Sequence, residues 1–264
     1  MDISIILFLV ISFGSLGVGF VLEGGHLVAL FIATAAIIVF GGTIGAVGLS
    51  FPIQEIKRLP KILGVLFKYK PIDNYKVTTQ FYELTTIARA EGILALEDAA
   101  NRTGINHPII TKGLRLIVDG VDANVIYKSL VTEAENIDTR HEVGFAIFES
   151  AGGYSPTMGI IGTVMGLVHV LGNLSDPSTL GPKIAVAFIA TLYGVGTANL
   201  LWLPLATRLK NISEKESMSN QMIINALMSL QQGKHPKLVI DDMCAFLEPD
   251  EREKILKELK LGDN

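Results

Sequence analysis

The sequence has little charge and almost no cysteine. Only 18% of its 264 residues are charged and 49% are hydrophobic, whereas a water-soluble domain usually has about a quarter charged residues. The single cysteine, Cys244, excludes a disulfide framework and any CxxC metal or redox site. The net charge of −4 argues against a nucleic-acid partner. With a mean hydropathy of +0.45, the composition is that of a membrane protein.

Lysine and arginine are missing from two long stretches, the one before Lys57 and the one between Arg140 and Lys183. Four apolar segments are long enough for a helix to cross a hydrocarbon layer of about 30 Å. None contains Asp, Glu, Lys or Arg, and they are Ile3–Leu22, Leu27–Ser50, Ala151–Gly172 and Ile184–Thr207. The sequence therefore predicts an all-α integral membrane protein with four transmembrane helices, arranged as hairpins at residues 1–50 and 151–207.

The basic residues beside these segments predict the orientation, because positive charge near membrane helices favours the cytoplasmic side. The two short connections, Glu23–His26 and Asn173–Lys183, contain one lysine, Lys183, and no arginine. Eight basic residues flank the other segment ends: Lys57, Arg58, Lys61, Lys68, Arg140, Arg208, Lys210 and Lys215. We predict that both termini and residues 51–150 are cytoplasmic and that the short connections are outside.

Residues 51–150 are predicted to form a helical cytoplasmic domain. Apolar spacing predicts one helix over Val77–Ala100 and a second over Pro108–Val118. A third is expected to begin near Asp122 and to continue towards the third membrane segment. Residues 208–264 are predicted to form a helical tail, with helices at Ile212–Leu230 and Asp250–Leu259.

Small residues recur at four-residue spacing within the membrane segments. The pairs are Ser15 and Gly19, Gly41 and Gly45, Gly162 and Gly166, and Ala190 and Gly194. Such spacing lets helix backbones approach closely in lipid, where the hydrophobic effect does not drive two helices together. The pattern fits packing within one hairpin or oligomerisation, and the sequence leaves both open.

The third and fourth segments also contain hydroxyl groups, two prolines and one histidine. A Ser or Thr in a membrane helix most often bonds its own preceding turn. Pro156 fits a first-turn position, whereas Pro204 lies deeper in its apolar run and is predicted to kink it. His169 lies near the outer end of its segment, where an interfacial side chain is a simpler interpretation than a proton relay.

The membrane segments contain no carboxylate. Pumps and transporters usually carry cations on intramembrane Asp or Glu. Either the chain conducts no ions, or a partner helix supplies the acid and this chain forms the surrounding wall.

Three motifs resemble the MotA family of flagellar motor stator subunits. They are Ser155–Leu167 (SPTMGIIGTVMGL), Ala190–Gly194 (ATLYG) and Arg89–Glu97 (RAEGILALE), and the likeness spans nearly the whole chain. The resemblance implies a pentamer enclosing the single membrane helices of a MotB dimer, whose aspartate carries the ion. It also implies that ion flow drives torque on the rotor protein FliG, without covalent catalysis or a cofactor.

By resemblance, particular residues acquire expected roles. Arg89 and Glu97 match the rotor-contact charges, Pro156 and Pro204 match the torque-linked prolines, and Thr191 matches a hydroxyl of the ion path. On one continuous helix, Arg89 and Glu97 would lie about 80° apart around the axis and about 12 Å along it. One partner surface could then meet both, although a solvated helix face is also commonly charged.

The identity of the ion depends on the hydroxyl groups near Thr191. Sodium-type relatives tend to have two adjacent threonines where this chain has Ala190 and Thr191, and a threonine at the position of Thr163. A sodium ion needs oxygen ligands that a proton does not, so the missing hydroxyl at Ala190 favours protons. Two alternatives to a stator are a three-span energiser subunit of outer-membrane transport and a stand-alone channel or transporter.

Overall fold

The computed structural model describes residues 3–102, 107–172 and 177–259, which are almost entirely helical and contain no β-strand. They form two compact units. The membrane unit consists of Met1–Tyr69 and His141–Asn211, and the polar unit consists of Lys70–Arg140 and Ile212–Asn264. Within the described ranges, four helices are long and apolar enough to cross a membrane: Ser4–Leu22, Leu27–Ser50, Ala123–Leu171 and Leu180–Gln231. We call them the first to fourth spans, and they confirm the predicted fold class.

The third span confirms the expected continuous helix, which runs from Ala123 to Leu171. The fourth consists of Pro177–Thr197, a π-helical segment Ala198–Trp202 and Leu203–Gln231. A separate tail helix at Ile212–Leu230 is therefore wrong. No Gly or Pro follows Pro204 before Gln231, so nothing in this sequence ends the helix. Part of the predicted second outer connection, residues 173–176, lies outside the described residues.

The second span is interrupted, which the prediction of a regular helix over Leu27–Ser50 missed. A 3₁₀ turn at Leu27–Leu30 is followed by Phe31 and Ile32 in extended conformation. The helix then continues through Ala33–Ala36, a π-helical segment Ile37–Gly41 and Gly42–Ser50. In a membrane, backbone N–H and C=O groups that lose their helical hydrogen bonds need other hydrogen-bond partners.

A short helix, Leu59–Lys68, follows the second span and was not predicted. It has Pro60 in its first turn, where the missing N–H costs no hydrogen bond. Its buried Leu66 belongs to a cluster with Ile5, Phe148 and Leu205 of the first, third and fourth spans. The helix is therefore part of the membrane unit.

The polar unit has a large aliphatic core. The polar unit contains parts of the long helices of the third and fourth spans. It also contains the helices Asn74–Glu91, Leu96–Arg102, Pro108–Val118, Pro236–Cys244 and Pro249–Glu258. The helix Pro108–Val118 is as predicted, whereas Pro236–Cys244 was not predicted. Phe81, Leu84, Ile110 and Leu227 are completely buried in this core.

The predicted single helix over Val77–Ala100 is wrong, because the chain turns at Gly92. The helix Asn74–Glu91 ends there, and a 3₁₀ turn at Ile93–Ala95 leads into Leu96–Arg102. Gly92 has φ +92° and ψ 166°, a backbone conformation that is essentially restricted to glycine. The apolar periodicity continued across this residue and concealed the break.

Candidate ion-path wall between the third and fourth spans

The backbones of the third and fourth spans touch at two glycines. A Cβ atom on Gly194 would lie 2.5 Å from the carbonyl oxygen of Ser155 and 2.9 Å from Cα of Gly159. A Cβ on Gly159 would lie 2.9 Å from the carbonyl oxygen of Ala190. All three distances are too short for a side chain, so glycine is required at both positions for the helices to come this close.

The contact continues along the helix pair through other small residues. A Cβ on Gly162 would lie 2.7 Å from the Ala190 methyl carbon, and one on Gly166 would lie 2.7 Å from that of Ala187. Two of the four small-residue pairs are thus used within one hairpin. By contrast, a Cβ on Gly19, Gly41 or Gly45 would meet no other element within 4 Å, so no neighbouring helix of the described part of the chain covers these faces.

Two pairs of hydroxyl groups bridge the same interface. The Ser155 hydroxyl lies 2.8 Å from that of Thr197, and both side chains are buried. The Thr163 hydroxyl is hydrogen-bonded to that of Thr191, and both residues are half-buried. Since Thr163 follows Ser155 by two helical turns, the pairs are roughly 12 Å apart along the third span.

The Thr163 and Thr191 pair also lies beside backbone oxygens. The Thr163 Oγ1 atom is 2.9 Å from the carbonyl oxygen of Ala187 and 3.1 Å from that of Gly159. A hydroxyl has one proton and two lone pairs, so it can donate to one of these oxygens at a time. The arrangement places two hydroxyl and two carbonyl oxygens side by side at the contact of the two spans, where the hydroxyls bond each other and the backbone.

The side chain of Ala190 is in a different environment from those of Thr163 and Thr191, the other two residues predicted to line the ion path. It is 2% exposed, and it belongs to a cluster with Ala35 and Val39 of the second span. Its methyl group faces Gly162. The structure therefore brings Thr163 and Thr191 together and places Ala190 inside the helix contact, where it can act on the spacing of the helices.

The two predicted prolines lie in helix interiors near one end of this contact. Pro156 is inside the helix Ala123–Leu171, so a first-turn position is wrong, because the helix begins far upstream of the apolar segment. Pro204 lies two residues after the end of the π-helical segment Ala198–Trp202. A proline removes one backbone hydrogen bond of an α-helix. A π-helical segment forms where the hydrogen bonds of the helix shift to the next residue along the chain. The hydrogen-bonding pattern of the helix is thus irregular just before Pro204, and the predicted kink stays a prediction.

Tyr193 connects the fourth span to the interrupted part of the second, and sequence reasoning missed it. Its hydroxyl donates a hydrogen bond to the carbonyl oxygen of Leu30. It also accepts one from the backbone N–H of Ile32 at 3.2 Å. These are backbone groups at the break, and a side chain of another helix thus replaces the missing helical partners. Only its place in the ATLYG motif could have drawn attention to this tyrosine.

In the polar unit, Arg89 and Glu97 are both exposed. Because the helix ends before Gly92, they lie on opposite sides of a turn, and the separation expected for one continuous helix does not apply. Leu94, between them, is 75% exposed.

Among the described residues, no group of three or more His, Cys, Asp or Glu side chains could hold a metal ion.

Known proteins resemble this chain along most of its length. Residues 101–222 match the MotA/TolQ/ExbB proton channel family, and residues 6–92 match the N-terminal region of motility protein A. Motility protein A of Bacillus subtilis is 36% identical over 98% of this chain and 95% of its own length. Chemotaxis protein PomA of Vibrio alginolyticus is 32% identical over 96% of this chain and 98% of its own length.

Two solved structures of stator complexes share the fold. One is the flagellar MotAB stator complex of Bacillus subtilis, with a TM-score of 0.88, 36% identity and coverage of 94% of this chain and 98% of that one. The other is MotAB of C. jejuni, with a TM-score of 0.88, 28% identity and coverage of 95% and 97%.

Proposed function

The chain belongs to the MotA/TolQ/ExbB proton channel family, and we propose that, as a stator subunit of a flagellar motor, it couples inward proton flow to torque on the rotor. Its part in this process is mechanical and ion-conducting rather than enzymatic. The observation that carries the proposal is the wall between the third and fourth spans. It has bridging hydroxyls at Thr163 and Thr191, yet the four apolar segments contain no carboxylate.

A wall without an acid needs a partner that supplies one. The proposed partner is a MotB-type subunit with a single span, whose aspartate carries the proton past Thr191. We propose a pentamer of this chain around a dimer of that partner, with the third and fourth spans inside and the first and second outside. The first span supports the outer position, because Ile5 is its only buried residue among those described.

Reconstitution in liposomes tests whether the partner supplies the acid that carries the proton. Under a proton gradient, the chain alone is expected to conduct no protons, whereas the complex with its partner conducts them. Comparable specific flux from the chain alone would refute the proposal.

We also propose a cytoplasmic-membrane location with both termini inside, from the distribution of basic residues. Glu23 and Glu251 are exposed and lie on opposite predicted sides. Cysteines at these two positions, each in a Cys244→Ala background, are expected to react with an impermeant reagent from opposite sides. Labelling of both from the same side would contradict the orientation.

Protons are the proposed ion because Ala190 provides no hydroxyl next to Thr191. Thr191→Val keeps the shape of the side chain and removes its oxygen, and we expect sharply reduced motility at an unchanged protein level. Motility of the parent should follow the proton gradient and not external sodium. A Thr191→Val strain that swims normally would leave this hydroxyl with a structural role only.

A sodium-driven stator is the second candidate. The four oxygens around Thr163 favour it, since cations such as sodium need several oxygen ligands. Swimming that rises with external sodium at fixed pH and membrane potential would establish this candidate and reject the proton.

The proposed rotor contact is made by Arg89 and Glu97 with FliG. Exposed charges contribute little to folding but can orient a partner. Arg89→Glu or Glu97→Lys should therefore weaken torque at normal protein levels, and a compensating reversal on the rotor should restore it. If Arg89→Glu prevented the protein from accumulating in the membrane, the residue would be structural.

A further inference from the structure

A basic surface lies on the short helix Leu59–Lys68 and on the two residues before it. It consists of Lys57, Arg58, Lys61 and Lys68, all of which are exposed. The only acidic residue in residues 51–70 is Glu55, and its carboxylate is already paired with Arg58 at 2.8 Å. Among the described residues, none is positioned to form a salt bridge with Lys57, Lys61 or Lys68. The surface therefore carries uncompensated positive charge.

The helix is held at the ends of the membrane spans. Its buried face, with Leu59, Ile62 and Leu66, belongs to the cluster that contains Ile5 and Leu205 of the first and fourth spans. It also begins within ten residues of the end of the second span at Ser50. The basic surface is thereby fixed beside the level at which the spans leave the hydrocarbon.

Apolar side chains are exposed next to the basic ones. Val65 is 46% exposed and Ile53 is 62% exposed. Lys61, Val65 and Lys68 follow one another at intervals of four and three residues, so they share one face of the helix. An exposed face with both apolar and basic side chains fits the boundary between lipid chains and headgroups, where lysine stems lie in the apolar layer and the ammonium groups reach outward.

We propose that this basic surface binds the phosphate groups of anionic phospholipids in the adjacent leaflet. Charge complementarity selects this ligand, because the lysines have no acidic partner in the part of the chain that the structure describes, and phosphatidylglycerol-type headgroups carry a negative charge. Basic residues held near an anionic surface each strengthen binding roughly fivefold. The inference concerns the chain's contact with lipid and does not depend on which ion it conducts.

The test compares two lipids at one labelled position. Val65→Cys in a Cys244→Ala background gives the full chain one cysteine, which is labelled with a small fluorophore such as bimane. In vesicles, nitroxide-labelled phosphatidylglycerol should quench this fluorophore at least about fivefold more effectively than nitroxide-labelled phosphatidylcholine. High salt should reduce the difference, because it screens the charges.

The control removes the same charge elsewhere. Replacing Lys57, Lys61 and Lys68 by Gln should bring the quenching ratio close to one, whereas replacing Lys76, Lys128 and Lys237 of the polar unit by Gln should leave it unchanged. Equal quenching of the parent by both lipids would overturn the proposal. So would an unchanged ratio in the first variant, or no quenching by either lipid, which would mean that protein covers this face.

Discussion

The core of the polar unit and the contact between the third and fourth spans are built from opposite kinds of residue. The core is filled by large side chains such as Phe81 and Leu227, which are completely buried. At the span contact, Gly159 and Gly194 bring the backbones themselves together. Leu, Ile, Val and Phe are plentiful in the spans too, but many of them point outward.

The difference follows from the solvent. In water, removing apolar area from solvent stabilises the fold by roughly 25 cal/mol per Å², so large side chains belong inside. In lipid, an outward-facing leucine costs nothing, and helix association depends on close packing and on hydrogen bonds between helices. Large residues should therefore matter most in the polar unit, and small or hydroxyl-bearing residues should matter most in the membrane unit.

The largest effect is expected from Phe81→Ala. Removing a buried phenylalanine side chain from a tightly packed core typically costs about 3–5 kcal/mol. We expect early thermal unfolding and proteolysis of the polar unit in the purified protein. The control is Leu94→Ala, because Leu94 is 75% exposed and its loss should change the melting temperature little. Similar melting of the two variants would refute the idea that this core is stabilised by burial of large side chains.

The next effect is expected from Gly194→Ala, which adds a single methyl group where the spans touch. That carbon would lie 2.5 Å from the Ser155 carbonyl oxygen, so the helices must separate, at a cost on the order of 1–3 kcal/mol. Gly196→Ala is a control on the same helix, because its added methyl has nothing within 4 Å. Motility and thermal stability in detergent should fall only in the first variant. Equal behaviour would show that the close backbone approach is dispensable.

A smaller effect is expected from Tyr193→Phe. Losing the hydroxyl leaves the carbonyl of Leu30 and the N–H of Ile32 without this partner, which costs roughly 0.5–1.5 kcal/mol at this half-buried site. Tyr154→Phe is the matched control, because the Tyr154 hydroxyl bonds the exposed Ser50 hydroxyl at 2.9 Å and no buried backbone group among the described residues. Hydrogen exchange of the Ile32 amide should accelerate in the first variant alone. Unchanged exchange would mean that the break in the second span does not need the tyrosine.

The smallest effect concerns a surface charge of the polar unit. A hydrogen bond from Lys234 lowers the pKa of Asp242 below its ordinary value, assisted by the Ser229 hydroxyl. The ionised carboxylate therefore stabilises the fold above its unfolded-state pKa of about 3.9, and this contribution is lost as pH falls through the lower folded-state value. For an exposed pair it amounts to about 0.2–1 kcal/mol.

Thermal melts at several pH values measure this contribution. Asp242→Asn should melt slightly below the parent at pH 7, and the difference should shrink as the solution is acidified below about pH 4. Asp241→Asn provides the comparison at an exposed neighbouring carboxylate. A difference that persisted unchanged into acid would exclude the charge as its cause.

The sequence predicted correctly those long helices that depend mainly on the composition of their own segment. An apolar run of about 20 residues without charge requires a membrane helix in almost any context, and the stretch between Asp122 and Gly144, which has no Gly or Pro, fits the long third helix. Short elements were harder. The helices Leu59–Lys68 and Pro236–Cys244 are only 10 and 9 residues long, and such helices are marginal without the core on which they pack.

By itself, the sequence determined the four spans, the missing carboxylate and the presence of hydroxyls in the third and fourth spans. Only the tertiary structure decided that Thr163 pairs with Thr191, that Ala190 lies inside the helix contact, and that Tyr193 completes the broken second span. It also separated Arg89 from Glu97 by the turn at Gly92. The physical reason is that composition and periodicity report each segment's preference for lipid or water, whereas hydrogen-bond partners belong to residues far apart in the chain.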